Sequence, residues 1–146
     1  MRIALGVEYN GRAYAGWQTQ RHAPSIQERL EHALAQVADH PVSVVCAGRT
    51  DAGVHALGQV VHFDTDAVRT SHGWRLGATS NLPDDIAVHW AQPVPDTFNA
   101  RFSATARSYR YAILVRPVRP GMLDGLVSWT WKALDADAMP LAAQVL

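Results

Sequence analysis

The chain has 146 residues, 48% of them apolar, and its 13 basic and 13 acidic side chains give a net charge of zero. This length suits one ordinary domain with a real hydrophobic core. No apolar run reaches about 18 residues, so no membrane-spanning segment is expected. The single cysteine, Cys46, excludes an internal disulfide framework and suits a reducing cytosol. It lies in an apolar run, and we predict a buried, inert thiol.

The first part of the chain predicts alternating strands and helices. Strands are indicated by β-branched and alternating apolar residues, at 2–9, 42–47, 58–65 and from Ile86 onwards. A helix is predicted after Ser25, which forms a capping box with Glu28, and a weaker helix over 70–79. The order β-α-β-β-α-β is that of the ferredoxin-like fold, to which RNA-recognition domains are similar. We therefore predict an α+β, ferredoxin-like (RRM-like) antiparallel sheet with helices on one face.

The last third predicts a less regular arrangement. A further strand is indicated at about 105–115, and another over 126–131. The residues from Leu134 onwards indicate the start of a helix that continues to Leu146, with Asp135 or Asp137 as its cap. This end of the chain is predicted to begin a second structural half.

The stretch 48–55, with the sequence GRTDAGVH, is the strongest candidate for chemistry. It places Asp51 two residues after Arg49 in a glycine-bounded loop between two predicted strands, which would hold the loop while leaving it reachable. Arg49 would keep the carboxylate ionised, and an ionised carboxylate can act as a nucleophile or base. The alternative is an ordinary turn with a surface ion pair. A phosphate-binding P-loop is excluded, because Val54 and His55 stand where Lys and Ser or Thr are required.

Zero net charge argues against strong nucleic-acid binding, but the charge is unevenly distributed. The segment 97–122 contains five of the twelve arginines and no Asp, Glu or Lys. Arginine binds phosphates through a fork of donors and stacks on bases, and Tyr109 and Tyr111 lie within the segment. A solvated strand face with ordinary ion pairs is the alternative. Trp17, Trp74 and Trp90 are predicted to be core residues, and His62 to be structural.

Several longer motifs resemble the TruA family of tRNA pseudouridine synthases in the correct order. They are 48–55, EYNG at 8–11, YAGWQTQ at 14–20, SIQ at 25–27, NLPDDI at 81–86 and FNARFSATARSYRY at 98–111. The resemblance runs along the whole chain and implies the pseudouridine synthase fold. It also implies a division into a catalytic half, 1–123, and the beginning of a second half, 124–146.

The resemblance implies a role for each matching residue. Asp51 matches the nucleophile, Arg49 the arginine that pairs with it and helps displace the base, and Tyr109 the aromatic that packs on the flipped uracil. The positions predicted to bind RNA are Arg49, Arg69, Phe98, Asn99, Ala100, Arg101, Phe102, Arg107 and Arg110.

The implied reaction is the isomerisation of uridine to pseudouridine at positions 38, 39 and 40 of the tRNA anticodon stem-loop. The resemblance implies no cofactor, no metal, a homodimer and a cytoplasmic enzyme without a membrane partner. Two alternatives stay open from the sequence. The chain could bind RNA or merely fold, without turnover, because the family's second half is short here. It could also be a protein-interaction domain of the same fold class.

Overall fold

A computed structural model describes residues 1–144 and divides the chain into two compact units, Met1–Arg107 and Ser108–Leu146. The predicted division at 123/124 separates the two halves that the family resemblance implies, and it stays a prediction. The predicted continuation of the last helix to Leu146 lies outside the described residues. Within residues 1–144, no helix is both long enough and apolar enough to cross a bilayer.

The first unit is an antiparallel sheet of four strands with two α-helices. Its elements are β1 (Arg2–Tyr9), α1 (Ile26–Ala38), β2 (Val45–Cys46), β3 (Ala56–Asp64), α2 (Ser71–Asn81) and β4 (Ile86–Val94), with a short 3₁₀ helix at Gly11–Ala13. The strands lie in the order β2-β3-β1-β4. The predicted mixture of α and β and the predicted element order are therefore confirmed.

Helix α1 begins as predicted. The hydroxyl of Ser25 accepts a hydrogen bond from the Glu28 amide at 3.2 Å, which satisfies one of the free N–H groups of the first turn. The helix ends at Asp39, whose left-handed φ of 61° and hydrogen bond to the Ala35 carbonyl terminate the last turn. Its buried side chains have helical spacing, namely Ile26, Leu30, Ala33, Leu34 and Ala38.

The predicted strand at 42–47 is much shorter in the structure. Only Val45 and Cys46 pair with β3. The Val44 amide instead donates to the Glu31 carboxylate of α1 at 2.9 Å. This bond fixes the residues just before β2 to α1 rather than to the sheet. The predicted length of this strand was wrong.

Two of the three predicted core tryptophans are buried. Trp17 is 2% exposed, and Trp74 is fully buried against Phe63, with ring centroids 5.1 Å apart. Trp90 is 42% exposed, so its assignment to the core was wrong. It pairs with Gly6 across β1 and β4, and its indole lies directly against that glycine.

The Leu34→Ala variant is expected to lower the free energy of unfolding by about 2–5 kcal/mol, because Leu34 is fully buried in α1 and alanine would leave a cavity. Urea unfolding followed by circular dichroism measures this loss. Leu57→Ala is the matched control, since Leu57 is 82% exposed and its truncation is expected to change stability by less than about 0.5 kcal/mol. Equal losses in both variants would contradict this description of the core.

The second unit contains a parallel pair of short strands, β5 (Ile113–Val115) and β6 (Ser128–Thr130), followed by α3 (Ala138–Ala143). The predicted strand at 105–115 was wrong over 105–112, where the chain is irregular. Alternating residues favour a strand only where a neighbouring strand pairs with them. Of the two predicted caps for α3, the Asp135 carboxylate accepts the amides of Asp137 and Ala138, both at 3.0 Å.

Candidate active site

Asp51 lies in an exposed loop between β2 and β3, as predicted. The Val54 amide donates to the Asp51 carbonyl at 3.2 Å and closes the turn. The side chains of Arg49 and Asp51 are both exposed, and no ion pair joins them among the described residues. The predicted pairing of the two stays a prediction. The carboxylate is accordingly open to a substrate.

One side of the loop is held by the segment that follows β1. The Tyr9 hydroxyl and the Thr50 hydroxyl lie 2.8 Å apart, and the Trp17 amide donates to the Thr50 carbonyl at 2.9 Å. The Gly53 amide donates to the Tyr14 carbonyl at 3.3 Å. The residues on both sides of Asp51 are therefore fixed to this segment, while the Asp51 side chain itself projects from the loop into solvent.

Two glycines allow this close approach. A Cβ on Gly16 would lie 2.7 Å from the Thr50 carbonyl oxygen, and Gly16 has a φ of +98°, which L side chains rarely adopt. A Cβ on Gly11 would lie 2.0 Å from the Val54 carbonyl oxygen. Both contacts are with backbone, which has little freedom to move aside. The close approach of the loop backbone thus explains why the motifs at 8–11 and 14–20 have glycine at positions 11 and 16.

The stem of the loop is held from the opposite side. The buried Gln59 side chain of β3 exchanges two hydrogen bonds with the backbone of Gly48, donating to its carbonyl and accepting from its amide at 3.4 Å. The Ala47 amide donates to the Val60 carbonyl at 2.8 Å, and the Ala47 carbonyl accepts from the Arg107 guanidinium at 3.0 Å. Sequence reasoning did not select Gln59, although a glutamine in an otherwise apolar run was the available signal.

A second loop, Asp96 to Ser103, carries five of the predicted RNA-binding residues. The Asn99 carboxamide oxygen accepts the amides of Arg101 and Phe102 at 3.0 and 3.2 Å, which makes a compact turn. The guanidinium of Arg101 lies 5.5 Å from the centre of the Phe102 ring, which is 79% exposed. An exposed cation stacked on an exposed aromatic ring is a chemically suitable contact for RNA.

His62 and Arg2 anchor this loop to the sheet. The buried Ala100 amide donates to Nδ1 of His62 at 3.1 Å, and the Phe98 ring packs edge-on against the imidazole with centroids 6.0 Å apart. Arg2 donates to the Phe98 carbonyl at 2.7 Å and forms an ion pair with Asp64 at 2.8 Å. The prediction that His62 is structural is confirmed, whereas Arg2 gave no signal in the sequence.

Acidification is expected to weaken the anchor of this second loop. Burial, and then the nearby positive charge of Arg2, lower the pKa of His62, while Asp64 acts in the opposite direction. Below the ordinary histidine pKa of about 6.5 the unfolded chain binds a proton that the folded chain resists. The contribution of neutral His62 to the free energy of unfolding is therefore complete above that pH. It declines as the pH falls toward the lowered pKa of His62 in the folded protein. Arg2 lowers the pKa of Asp64, so loss of that ion pair belongs to a separate, more acidic window.

The measurement is the free energy of unfolding in urea between pH 7.5 and 5. We expect a slope in the wild type that His62→Gln reduces and that His22→Gln leaves unchanged, since His22 is exposed. The same slope in all three proteins would contradict the role of His62.

The remaining predicted site residues are placed as follows. The Arg69 side chain is exposed just before α2, and its guanidinium donates to the Val68 carbonyl at 3.0 Å. Tyr109 and Arg110 belong to the second unit, where both are exposed, Tyr109 to 74%. Their contacts with RNA or with the uracil stay predictions.

Cys46 is half-buried rather than buried as predicted, and burial raises the pKa of its thiol, the opposite of the shift that activates a thiolate. Among the side chains that the structure describes, no three His, Cys, Asp or Glu residues come together as a metal-binding group.

The exposed Asp51 on its fixed loop, carried by an antiparallel sheet, agrees with what the comparison of sequences finds. The chain belongs to the tRNA pseudouridine synthase family, because the sequence model of that family matches residues 6–103. This range includes the Asp51 loop and the second loop as far as Ser103. The predicted family membership is confirmed.

Several similar proteins are named tRNA pseudouridine synthase A. The one from Vibrio vulnificus (strain YJ016) is 60% identical over 146 residues, which is all of this chain and 55% of that protein. Those from Aeromonas salmonicida (strain A449) and Shewanella sp. (strain ANA-3) are each 58% identical, with 54% and 56% of their lengths covered. The chain therefore spans about half the length of the curated relatives it matches.

Proposed function

We propose that this protein is a tRNA pseudouridine synthase, an isomerase that converts uridine to pseudouridine at positions 38, 39 and 40 of the anticodon stem-loop. The observation that carries the proposal is the exposed carboxylate of Asp51 on a loop whose backbone is fixed on both sides. A nucleophile must be open to its substrate and must also be held in position. This loop meets both requirements.

The proposed reaction rearranges bonds within a single nucleotide. The bond between N1 of uracil and C1′ of the ribose breaks, a bond between C5 and C1′ forms, N1 gains a proton and C5 loses one. There is no net oxidation, so no redox partner is needed. Asp51 attacks either the base ring or the sugar carbon, and both routes conserve atoms and electrons.

The uridine must leave its stack before Asp51 can reach it, which costs a few kcal/mol. We propose that Arg49, exposed two residues from Asp51, pairs with the carboxylate and fills the space that the base leaves. We propose that Tyr109 packs on the flipped uracil, as aromatic side chains do with splayed bases. The exposed Tyr109 ring is available for such a contact.

The proposed RNA contacts combine phosphate binding and stacking. Arg69 and Arg110 are exposed cations suited to phosphates. The turn from Phe98 to Phe102 presents Arg101 over the Phe102 ring and is held by the two amides that the Asn99 side chain accepts. The proposed partner is tRNA in the cytoplasm, and the proposed assembly is a homodimer.

The test is pseudouridine formation in an unmodified tRNA with uridine at positions 38 to 40, mapped by base-specific chemical modification. A matched tRNA with cytidine at these positions is the control. Product confined to the first tRNA supports the proposal. Salt-sensitive tRNA binding without product would favour an RNA-binding role instead. Neither binding nor product, in folded protein, would overturn both.

A further inference from the structure

The guanidinium of Arg107 contacts the protein itself. Its Nε and one terminal nitrogen both donate to the carbonyl of Ala47, at 3.0 and 2.5 Å. The same terminal nitrogen lies 3.5 Å from the Arg101 carbonyl. One side chain therefore joins the stem of the Asp51 loop to the second loop.

Ala47 lies in the stem of the Asp51 loop and is bound on two sides. Its amide donates to the Val60 carbonyl of β3, so the residue is bound on one side to the sheet and on the other to Arg107. The next residue, Gly48, is bound through both backbone groups to Gln59. The chain then runs only three residues to Asp51, so a shift of the stem is transmitted to the carboxylate.

We infer that Arg107 is a positioning residue, which clamps the stem of the Asp51 loop and couples it to the RNA-facing turn of Arg101 and Phe102. This inference rests on the proposed function and replaces the prediction that Arg107 contacts RNA. A guanidinium suits the role because its planar fork binds the Ala47 carbonyl through two nitrogens, which the single nitrogen of an ammonium cannot do.

The experiment compares Arg107→Gln and Arg107→Lys in the proposed reaction. A displaced nucleophile is expected to lower kcat about 10–100-fold. Lysine keeps the charge but lacks the fork, so Arg107→Lys is expected to lose nearly as much as Arg107→Gln. The Kd for tRNA and its dependence on salt are expected to stay at the wild-type values in both variants.

Arg110→Gln is the matched control, because Arg110 is an exposed arginine of the same basic segment. It is expected to weaken tRNA binding and to reduce the salt slope by about one, as removal of a phosphate contact does. Arg107→Gln could instead weaken tRNA binding and reduce the salt slope, while Arg107→Lys keeps wild-type binding and turnover. Arg107 would then be a phosphate contact, and the inference would be overturned. Unchanged turnover in both Arg107 variants would overturn it as well.

A readout that needs no turnover separates this inference from the proposed function. Amide hydrogen exchange of the segment 47–55 is expected to accelerate several-fold in both Arg107 variants and to stay unchanged in Arg110→Gln, since the clamp restrains local opening. If wild-type protein shows no turnover, the proposed function fails, and the exchange rates alone then decide whether the clamp exists. Wild-type exchange rates in Arg107→Gln would overturn the clamp.

Discussion

The Asp51→Ala variant is expected to lose pseudouridine formation by at least about 10⁴-fold, the scale on which enzymes lose activity when a nucleophile is removed. Binding of tRNA and the free energy of unfolding are expected to stay close to the wild-type values. The reason is that no hydrogen bond or ion pair of the Asp51 carboxylate supports the fold among residues 1–144, whereas its backbone carbonyl, which alanine keeps, closes the turn. Single-turnover assays with excess enzyme measure the loss directly.

Asp66→Asn is the matched control for this variant. Asp66 is an exposed aspartate in the same unit, and its carboxylate serves no proposed step, so full activity is expected. Asp51→Asn adds a stricter comparison, since it keeps the size of the side chain and removes only the charge. Turnover above a few per cent of wild type in Asp51→Ala would show that another group attacks the uridine.

The elements with strong local signals were predictable from the sequence. The start of α1 depends on Ser25 and on the spacing of Leu30 and Leu34, which lie close together along the chain. The strands β3 and β4 likewise contain enough alternating apolar residues to be predicted as strands. The ends of elements were harder to predict, because the extent of pairing depends on residues distant in the sequence. Only Val45 and Cys46 of the predicted second strand pair with β3.

The predicted strand over 105–112 failed for a related reason. The segment alternates in the way a strand does, yet pairing requires a neighbour that local sequence cannot supply. At its start, Arg107 binds the Ala47 carbonyl with its side chain. The pairing that does form, between β5 and β6, is parallel and only three residues long.

The sequence could nominate residues for the candidate site, but it could not predict the groups that hold them in place. Asp51, Arg49 and the turn at 98–102 could be selected from residue chemistry and from the family resemblance. The groups that hold them come from distant positions, as when His62 accepts the Ala100 amide or Trp17 donates to Thr50. Such contacts leave no periodic pattern, because each joins one side chain or backbone group to one other.

Gly16→Ala is expected to lower kcat about 100-fold, the second largest effect on activity. The new Cβ would lie 2.7 Å from the Thr50 carbonyl oxygen, and 3.1 Å from the carbonyl carbon of Asp51. Both are backbone atoms, so the loop must move as a unit and carry the carboxylate with it. The φ of +98° adds strain, and we expect a loss of about 1–3 kcal/mol in the free energy of unfolding.

The Gly58→Ala variant separates displacement of the loop from the general effect of replacing a glycine. A Cβ on Gly58 meets nothing within 4 Å, and its φ lies outside the left-handed region, so turnover and stability are expected to stay near wild type. Rates are measured well below the midpoint of thermal unfolding, so that a less stable Gly16→Ala protein is still folded. Wild-type turnover in folded Gly16→Ala would contradict the argument, since it would mean that the position of Asp51 does not depend on the contact between Gly16 and Thr50. A fall in kcat with an unchanged Kd for tRNA would place the effect of Gly16 on the reacting carboxylate, because the proposed phosphate and stacking contacts lie outside the Asp51 loop.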